Sequence, residues 1–351
     1  MADYLSKRGA NIAPSYATTG DLPASTQAGD LVFVGGQLGI AVNASTFDTC
    51  DKTDIVVYKF PGDSDAYSAG GYTGTGASLA GVTKWSMTSD SVDSSASHTL
   101  GAATSYVAGN VQSDTNGYVC GGITADGSNS TKFTKSQKFT FASTATSDGD
   151  TGISNGLANA GATNSSTKYY TFGSRGNNNT LYFDIYRGTF ASEGTFADVG
   201  DMSGVSGNFG FTATCYGDTA GYIALNYNNA VHKFTFASEG NSSATSQTMA
   251  SYQTTVGQSS ETDGYYTGDD EIRKMSFASE SNIIDQSGTL AVNAMNGGGC
   301  SSSSKGYHFG GNTSPYNQIQ KFSFPGSSNA TDIGDLVGTR NWGDYISGSH
   351  K

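Results

Sequence analysis

Short segments in which apolar and polar residues alternate recur six times along the 351-residue chain. Each begins with a basic residue, called here the basic anchor, and continues with any residue, Ser or Thr, and an aromatic residue or Met. The copies read KWSMTS, KFTFAS, RGTFAS, KFTFAS, KMSFAS and KFSFPG, and their anchors are Lys84, Lys138, Arg187, Lys233, Lys274 and Lys321. In such a segment Phe139 and Phe141 share one face of a strand, while Lys138 takes the other. The pattern predicts six half-buried strands at intervals of 41 to 54 residues.

A second recurring element lies upstream of most anchors. It is an aromatic stretch ending in Gly or Gly-Gly, and its copies are 67–71, 118–122, 170–173, 265–268 and 307–311. Turn residues such as ASEG and DVGD follow the anchor segments. This order resembles the kelch repeat, in which a strand ending in Gly-Gly precedes a strand with an aromatic core. The resemblance implies the blades of a β-propeller, although 223–225 replaces the glycines in one copy.

Composition favours an all-β fold. The chain contains 48 Gly, 20 Tyr and 18 Phe, and only 14% of its residues are charged. Glycine disfavours helices, whereas aromatic residues suit strands. About 30 residues, from Asp54 to Thr83, lie before the first anchor and 30 follow the last, which together make roughly one repeat. We therefore predict a six-bladed kelch-like β-propeller over residues 54–351, with strands from both chain ends closing the ring through residues 337–347. A seventh blade beginning near Tyr58 is the alternative.

Residues 1–53 do not fit the repeat. Two apolar stretches, 28–34 and 38–42, flank Gly35-Gly36-Gln37 and predict a β-hairpin. This region resembles segments of bacteriophage structural and tail-associated proteins with the pattern YATxxDLP…AGDxxFV, and 321–336 is similar to repeats in marine phage proteins. The resemblance implies a segment that anchors the chain to other virion proteins; a cap on the propeller is the alternative. The candidate partner-binding residues are Tyr16, Leu22, Pro23 and Phe33.

Charge and hydropathy exclude two classes of partner. The formal net charge is −12 and the sequence pI is about 4.6, which opposes binding to phosphate backbones. No stretch approaches the roughly 18 apolar residues that a membrane-spanning helix needs. Residues 1–14 also lack the pattern of a signal peptide. We expect no nucleic-acid partner and no insertion into a membrane.

Candidate catalytic and metal-binding residues are scarce. The histidines lack metal-site spacing, and the cysteines stand far apart at positions 50, 120, 215 and 300, as expected of buried free thiols. The Gly-x-Ser-x-Gly stretch at 152–156 has neither the preceding apolar strand nor the following helix of a nucleophile elbow. Asp198, Asp285 and Asp332 each lie 11 residues after an anchor, which favours a turn role over calcium binding. We expect no enzymatic activity, cofactor or metal.

These observations favour a phage virion structural protein whose propeller is exposed on the particle as a decoration, fibre or host-recognition component. It would belong to a symmetric assembly and could contact a host glycan or receptor. The alternative is a carbohydrate-binding, lectin-like propeller acting in surface adhesion. Its candidate sugar-stacking residues, most of which we expect in the core, are Tyr169, Tyr170, Tyr227, Tyr265 and Tyr266. A propeller hydrolase or lyase is least favoured, because the anchors recur as structural positions do.

Overall fold

The computed structural model describes residues 64–337 and the backbone of five strands outside that range. Within 64–337 the undescribed residues are 73–76, 108, 125–131, 144, 159, 176–179, 206–211, 226–229, 250–255, 281–282, 295–296, 312–316 and 326–327. The backbone alone is described at 94–97, 110, 174 and 212. The chain divides into two compact units, Met1–Tyr58 and Lys59–Lys351.

The N-terminal unit contains a four-stranded sheet. Its strands, in spatial order, are β1 (Ser15–Tyr16), β2 (Leu31–Val34), β3 (Gln37–Asn43) and β4 (Thr46–Thr49). β1 is parallel to β2, and the other pairs are antiparallel. Val34 pairs with Gln37, which confirms the predicted hairpin. Gln37 belongs to the second strand rather than to the connection, since antiparallel strands can be joined by only two residues.

The second unit contains six antiparallel sheets. Blade 1 contains β5 (Asp65–Ala69), β6 (Leu79–Ser86) and β7 (Ser91–Thr104), and blade 2 contains β8 (Asn110–Gln112), β9 (Asn116–Cys120), β10 (Lys135–Thr140) and β11 (Thr146–Thr151). Blade 3 contains β12 (Gly161–Asn164), β13 (Lys168–Arg175), β14 (Leu181–Thr189) and β15 (Ala197–Asp201), and blade 4 contains β16 (Thr212–Tyr216), β17 (Ala220–Leu225), β18 (Ala230–Thr235) and β19 (Ser243–Thr248). Blade 5 contains β20 (Val256–Ser259), β21 (Asp263–Ser276) and β22 (Ile284–Ala294), and blade 6 contains β23 (Gly298–Ser301), β24 (Lys305–Phe309), β25 (Gln318–Ser323) and β26 (Thr331–Asp335).

A strand from the C-terminal end completes blade 1. This strand, β27 (Ser347–His350), lies antiparallel to β5, with Ser347 opposite Ala69 and His350 opposite Ala66. The innermost strands β8, β12, β16, β20, β23 and β27 contact one another in cyclic order, so the ring is closed. The predicted six-bladed propeller, closed by strands from both chain ends, is confirmed. The closing strand begins only at the last residue of the predicted range, and 338–346 and the region around Tyr58 lie outside the described residues.

Blade 5 looks three-stranded only because two of its strands are nearly continuous. The run β21 turns back on itself at Asp269, which has a φ of 53°. The Phe277 N–H donates to the Thr262 carbonyl, as the Phe236 N–H does to the Thr219 carbonyl where the second strand of blade 4 begins and its third strand ends. The two halves of β21 are therefore the second and third strands of this blade.

The core lies mainly between blades. One buried tyrosine, called here the repeat tyrosine, occupies the same place in the second strand of each blade: Tyr67, Tyr118, Tyr170, Tyr222, Tyr265 and Tyr307. At five interfaces it contacts the Phe that follows the third strand of the next blade; the Tyr67 and Phe141 ring centroids are 4.8 Å apart. At the sixth, the Tyr307 hydroxyl donates to the Met87 carbonyl. Each such ring pair contributes about 0.5–1.5 kcal/mol beyond burial of its area.

Glycine is required immediately before the repeat tyrosine in two blades. A Cβ at Gly117 would overlap the ring of Phe139, and one at Gly306 would overlap the ring of Phe322. Both rings belong to the residue after the basic anchor, on the adjacent strand. The second and third strands of these blades are therefore matched in sequence, with small residues opposite large ones.

Candidate functional site

The connections between strands lie on two faces of the ring, because successive strands run in opposite directions. One face, called here the short-turn face, carries the three-residue turns 113–115, 165–167, 217–219, 260–262 and 302–304. In four of these turns a serine hydroxyl accepts hydrogen bonds from two following N–H groups; the serines are Ser113, Ser165, Ser260 and Ser302. Uniform length and bonding indicate that these turns serve the fold.

The opposite face, called here the loop face, carries connections of very different lengths. Those between second and third strands range from 121–134 in blade 2 to the tight turn at Asp269 in blade 5. Those between blades range from 295–297 to 336–346. Since connections of a repeat protein that vary on one face often mark its binding face, the loop face is the candidate functional surface.

The basic anchors lie near the short-turn face, and four of the six join neighbouring blades. Lys138 of blade 2 lies 2.7 Å from Glu193 Oε2 of blade 3, and the Tyr118 hydroxyl donates to Glu193 Oε1 at 2.9 Å. Glu193 is the acidic residue of the ASEG turn that follows the third strand. We call this arrangement of anchor, repeat tyrosine and carboxylate the acidic clasp.

The clasp recurs at other interfaces. Glu239 of blade 4 accepts from Arg187 at 2.7 Å, from Tyr170 at 3.1 Å and from Lys168 at 2.8 Å, all in blade 3. Glu280 of blade 5 accepts from Lys233 and Tyr222 of blade 4. At a fourth interface Lys321 of blade 6 pairs with Asp90 of blade 1, and the Tyr307 hydroxyl donates to the Met87 carbonyl.

At the two remaining interfaces the carboxylate comes from the anchor's own blade. Six residues after the anchor of the following blade, where the clasp carboxylates stand in the sequence, these two repeats have Thr144 and Ser327. Lys84 instead lies 3.5 Å from Asp65, and Lys274 lies 3.6 Å from Asp263. Asp65 and Asp263 occupy the same place at the start of the second strand, where the four clasped blades have Asn116, Lys168, Ala220 and Lys305. Every anchor therefore has a carboxylate partner, from one of two positions.

The surroundings of the Glu239 carboxyl, which accepts three side-chain hydrogen bonds, favour its ionised form. Burial opposes ionisation of Glu239, but hydrogen bonds from Lys168 and Tyr170 and the charge of Arg187 outweigh it, so the pKa of this carboxyl is lowered. Glu239 also has a φ of 52°, in the left-handed region that strains a glutamate backbone. The clasp compensates for this strain by satisfying both carboxylate oxygens.

Two histidines and one aspartate are buried in structural roles. Burial lowers the pKa of His308 to about 4, and its Nδ1 lies 2.9 Å from Thr267 Oγ1. Burial also lowers the pKa of His232, which bonds Ser242. Asp150 accepts hydrogen bonds from the Tyr169 hydroxyl and from the backbone N–H groups of Thr189 and Gly194.

The aspartates weighed as calcium ligands lie in outer strands. Asp198 Oδ1 accepts from the Gly200 N–H at 3.2 Å, and Asp332 Oδ1 accepts from the Gly334 N–H at 3.1 Å. Both glycines have positive φ, so each aspartate stabilises a kink in an edge strand, which hinders pairing with another chain. Among residues placed by the structure, no group of three His, Cys, Asp or Glu side chains is arranged to hold a metal ion.

The described cysteines and the Gly-x-Ser-x-Gly stretch at 152–156 lack the surroundings of a catalytic nucleophile. Cys120, Cys215 and Cys300 are buried free thiols, as predicted, and burial raises the pKa of Cys215 to about 12. Cys50 lies outside the described residues. The stretch 152–156 lies in the connection between β11 and β12, and a strand rather than a helix follows it.

The predicted partner-binding residues are placed only in part. Tyr16 lies in β1 and Phe33 in the adjacent β2, where Ser15 is opposite Phe33. Leu22 and Pro23 lie outside the described residues, as do the side chains of Tyr16 and Phe33. Their role in binding stays a prediction.

Four of the five tyrosines considered for sugar stacking are unsuited to it. Tyr169, Tyr170, Tyr265 and Tyr266 are buried between blades, and Tyr227 lies outside the described residues. A different pair, Tyr72 and Tyr106, is partly exposed on the loop face, with ring centroids 6.2 Å apart. Sequence reasoning missed this pair, because neither tyrosine belongs to the repeating pattern.

No protein-family model matches the chain, and no curated protein matches it. In the part of the chain that the structure describes, no helix is long and apolar enough to cross a membrane. The class that the fold defines is a six-bladed β-propeller, so its function has to be argued from the residues themselves.

Proposed function

We propose that this chain is a structural protein of a bacteriophage virion, a kelch-like propeller displayed on the particle and attached through its N-terminal unit. The observation that carries the proposal is the division of the chain into two compact units at Tyr58. The phage-like stretch containing Tyr16 and Phe33 falls in the first unit, and the repeats fall in the second. One unit is thus available for attachment and the other for display.

The ring has properties that suit exposure on a particle. Its ionisable anchors are used to hold blades together, as in the pair of Lys138 and Glu193, rather than grouped around a reaction centre. Its outer strands are kinked at Gly200 and Gly334, which protects their edges. A rigid ring of this kind supports a decoration, fibre or host-recognition part without requiring catalysis.

The alternative is a lectin-like propeller that acts in surface adhesion as a free protein. It is favoured by the contrast between the uniform turns of the short-turn face and the unequal connections of the loop face. Adsorption of the purified full chain to host cells, in the absence of particles, would support this alternative.

The experiment for the primary proposal uses particles purified from the source by density gradient. Peptides of the chain are sought by mass spectrometry, and intact particles are labelled with two antibodies, one raised against residues 1–58 and one against residues 59–351. We expect co-purification, labelling of intact particles by the second antibody, and labelling by the first only after the particles are disrupted.

Two results would overturn the proposal. The chain could be absent from purified particles, which removes the virion role. It could also be present but accessible to both antibodies equally, which removes the attachment role of the N-terminal unit. Intact particles treated with the labelling reagent but with neither antibody are the control for non-specific labelling.

A further inference from the structure

Five residues other than glycine have left-handed backbone in the part of the chain that the structure describes. Asp90, Glu239 and Glu280 carry clasp carboxylates, and Asp269 forms the hairpin turn of blade 5. The fifth is Tyr106, with a φ of 53°. A bulky aromatic residue is strained in this region of backbone conformation.

The backbone around Tyr106 explains why the chain must turn there. Ser105 and Ile123 exchange two backbone hydrogen bonds, at 3.2 and 2.7 Å, which fix the preceding residue to blade 2. The following residue, Val107, is buried. Glycine or asparagine would make this turn at lower cost. A tyrosine is therefore unfavourable for the backbone, and any benefit has to come from its side chain.

That side chain forms a corner with a second tyrosine. The rings of Tyr72 and Tyr106 meet at 70°, and both are partly exposed on the loop face. The backbone of Tyr72 is held by a bridge to Ser78, whose hydroxyl lies 2.8 Å from that of Ser105. Both tyrosines are thus mounted on segments that are hydrogen-bonded to one another, so the corner is fixed before any ligand arrives.

We propose that Tyr72 and Tyr106 form a binding site for a neutral saccharide on the loop face. The face of an aromatic ring carries partial negative charge, which complements the slightly positive C–H groups of a sugar ring. The net charge of −12 disfavours acidic glycans by repulsion. This inference rests on the proposed display of the propeller, because a displayed head can use such a site to contact a cell surface.

The test uses the full chain on a printed array of neutral oligosaccharides, with acidic oligosaccharides as a comparison set. Three variants are compared with the unmodified chain: Tyr106→Asn, Tyr72→Ala and Tyr216→Ser. Tyr216 is a partly exposed tyrosine at the short-turn face and serves as the matched control. Thermal unfolding of each variant is measured in parallel.

We expect binding to at least one neutral saccharide, with an affinity loss of tenfold or more in Tyr106→Asn and Tyr72→Ala and little change in Tyr216→Ser. We also expect the unfolding midpoint of Tyr106→Asn to be equal to or above that of the unmodified chain, because asparagine tolerates left-handed backbone. A lowered midpoint with unchanged binding would show that Tyr106 is structural. Binding to no neutral saccharide, or to acidic ones alone, would also overturn the inference.

The outcome is separable from that of the virion proposal. If antibodies place the propeller on particles but the array shows no Tyr106-dependent binding, the saccharide site is rejected and the virion role stands. If the array shows such binding but no particle contains the chain, the virion role is rejected and the lectin-like alternative gains support.

Discussion

Lys138 and Glu193 lie 55 residues apart in the sequence and form an ion pair at 2.7 Å across the interface of blades 2 and 3. Each belongs to a recurring motif, so one repeat supplies the cation and the next supplies the anion. Four of the six basic anchors link their blade to its neighbour in this way, and Lys84 and Lys274 pair with a carboxylate of their own blade. The regularity first seen in the sequence is therefore a property of the blade interfaces as much as of single strands.

The Glu239 clasp should contribute measurably to stability at neutral pH. Replacing Glu239 with Gln removes the charge that Arg187, Lys168 and Tyr170 surround. We expect a loss of about 1–2 kcal/mol in the free energy of unfolding, since the group is partly solvated. Urea unfolding at pH 7 measures it.

The contribution of Glu239 to the free energy of unfolding should depend on pH in a definite direction. The pKa of Glu239 is lowered in the folded protein, so its contribution is present above the unfolded value and is lost as the pH falls through the folded value. The difference between Glu239→Gln and the unmodified chain should therefore shrink below about pH 4.5. Asp335→Asn, at an exposed outer-strand site, is the control and should cause little change. A difference that persists undiminished at low pH would contradict the account.

The carboxylate that pairs with a basic anchor should work from either of two places: the turn after the third strand of the next blade, or the start of the second strand of the same blade. Glu193→Gln should destabilise the ring by about 1 kcal/mol, because Lys138 loses its partner. Adding Asn116→Asp should restore part of that loss, since Asp65 and Asp263 reach their anchors from the same place in other blades. A double-mutant cycle on unfolding free energies measures the coupling. Independent, additive effects would show that the second position does not replace the first.

Much of the fold could be predicted from the sequence because the repeats encode their own strands. The alternation around Phe139 and Phe141 and the glycines after the repeat tyrosines determine which residues are buried. The number of blades followed from the spacing of the anchors. The closing strand was placed too early, because β27 has only four residues and its sequence, SGSH, has no aromatic pattern.

The candidate site was less predictable, for two physical reasons. Glu193 and Glu239 looked like ordinary turn residues, since nothing local shows that a carboxylate reaches the preceding blade; the recurrence of ASE after the third strand was the available signal. Tyr170 and Tyr265 were candidates for stacking on sugars, most of which we expected in the core, and neighbouring blades do cover them. Exposure depends on contacts between repeats, which a single repeat does not reveal.

Acid should destabilise the propeller partly through His308. Burial lowers its pKa to about 4, whereas the unfolded value is near 6.5, so the unfolded state binds more protons between these values. Stability should fall as the pH drops from about 6.5 to 4, by up to roughly 3 kcal/mol from this residue. His308→Gln should show a shallower fall in urea unfolding across that window. An equally steep fall in the variant would exclude His308 as a cause.

Removal of the closing strand should open the ring at one interface. Cys300 lies in β23, which contacts β27, and it belongs to a core shared with Ala66 and Trp85 of blade 1. In a chain shortened to residue 346, Cys300 should react with a thiol reagent at least tenfold faster than in the full chain. Cys215, packed between blades 4 and 5, should stay protected and serves as the internal control. Peptide mass spectrometry of the labelled protein, in a Cys50→Ser background, measures both. Equal protection of Cys300 in both chains would contradict closure by β27.

The most direct test of the account is cryo-electron microscopy of native particles from the source. We expect a six-bladed disc on the outside of the capsid, tail or fibre, with residues 1–58 in contact with a neighbouring virion protein and the loop face turned to solvent. Particles that lack such a disc at every position would contradict the virion role, and a disc held through its loop face would contradict the proposed orientation.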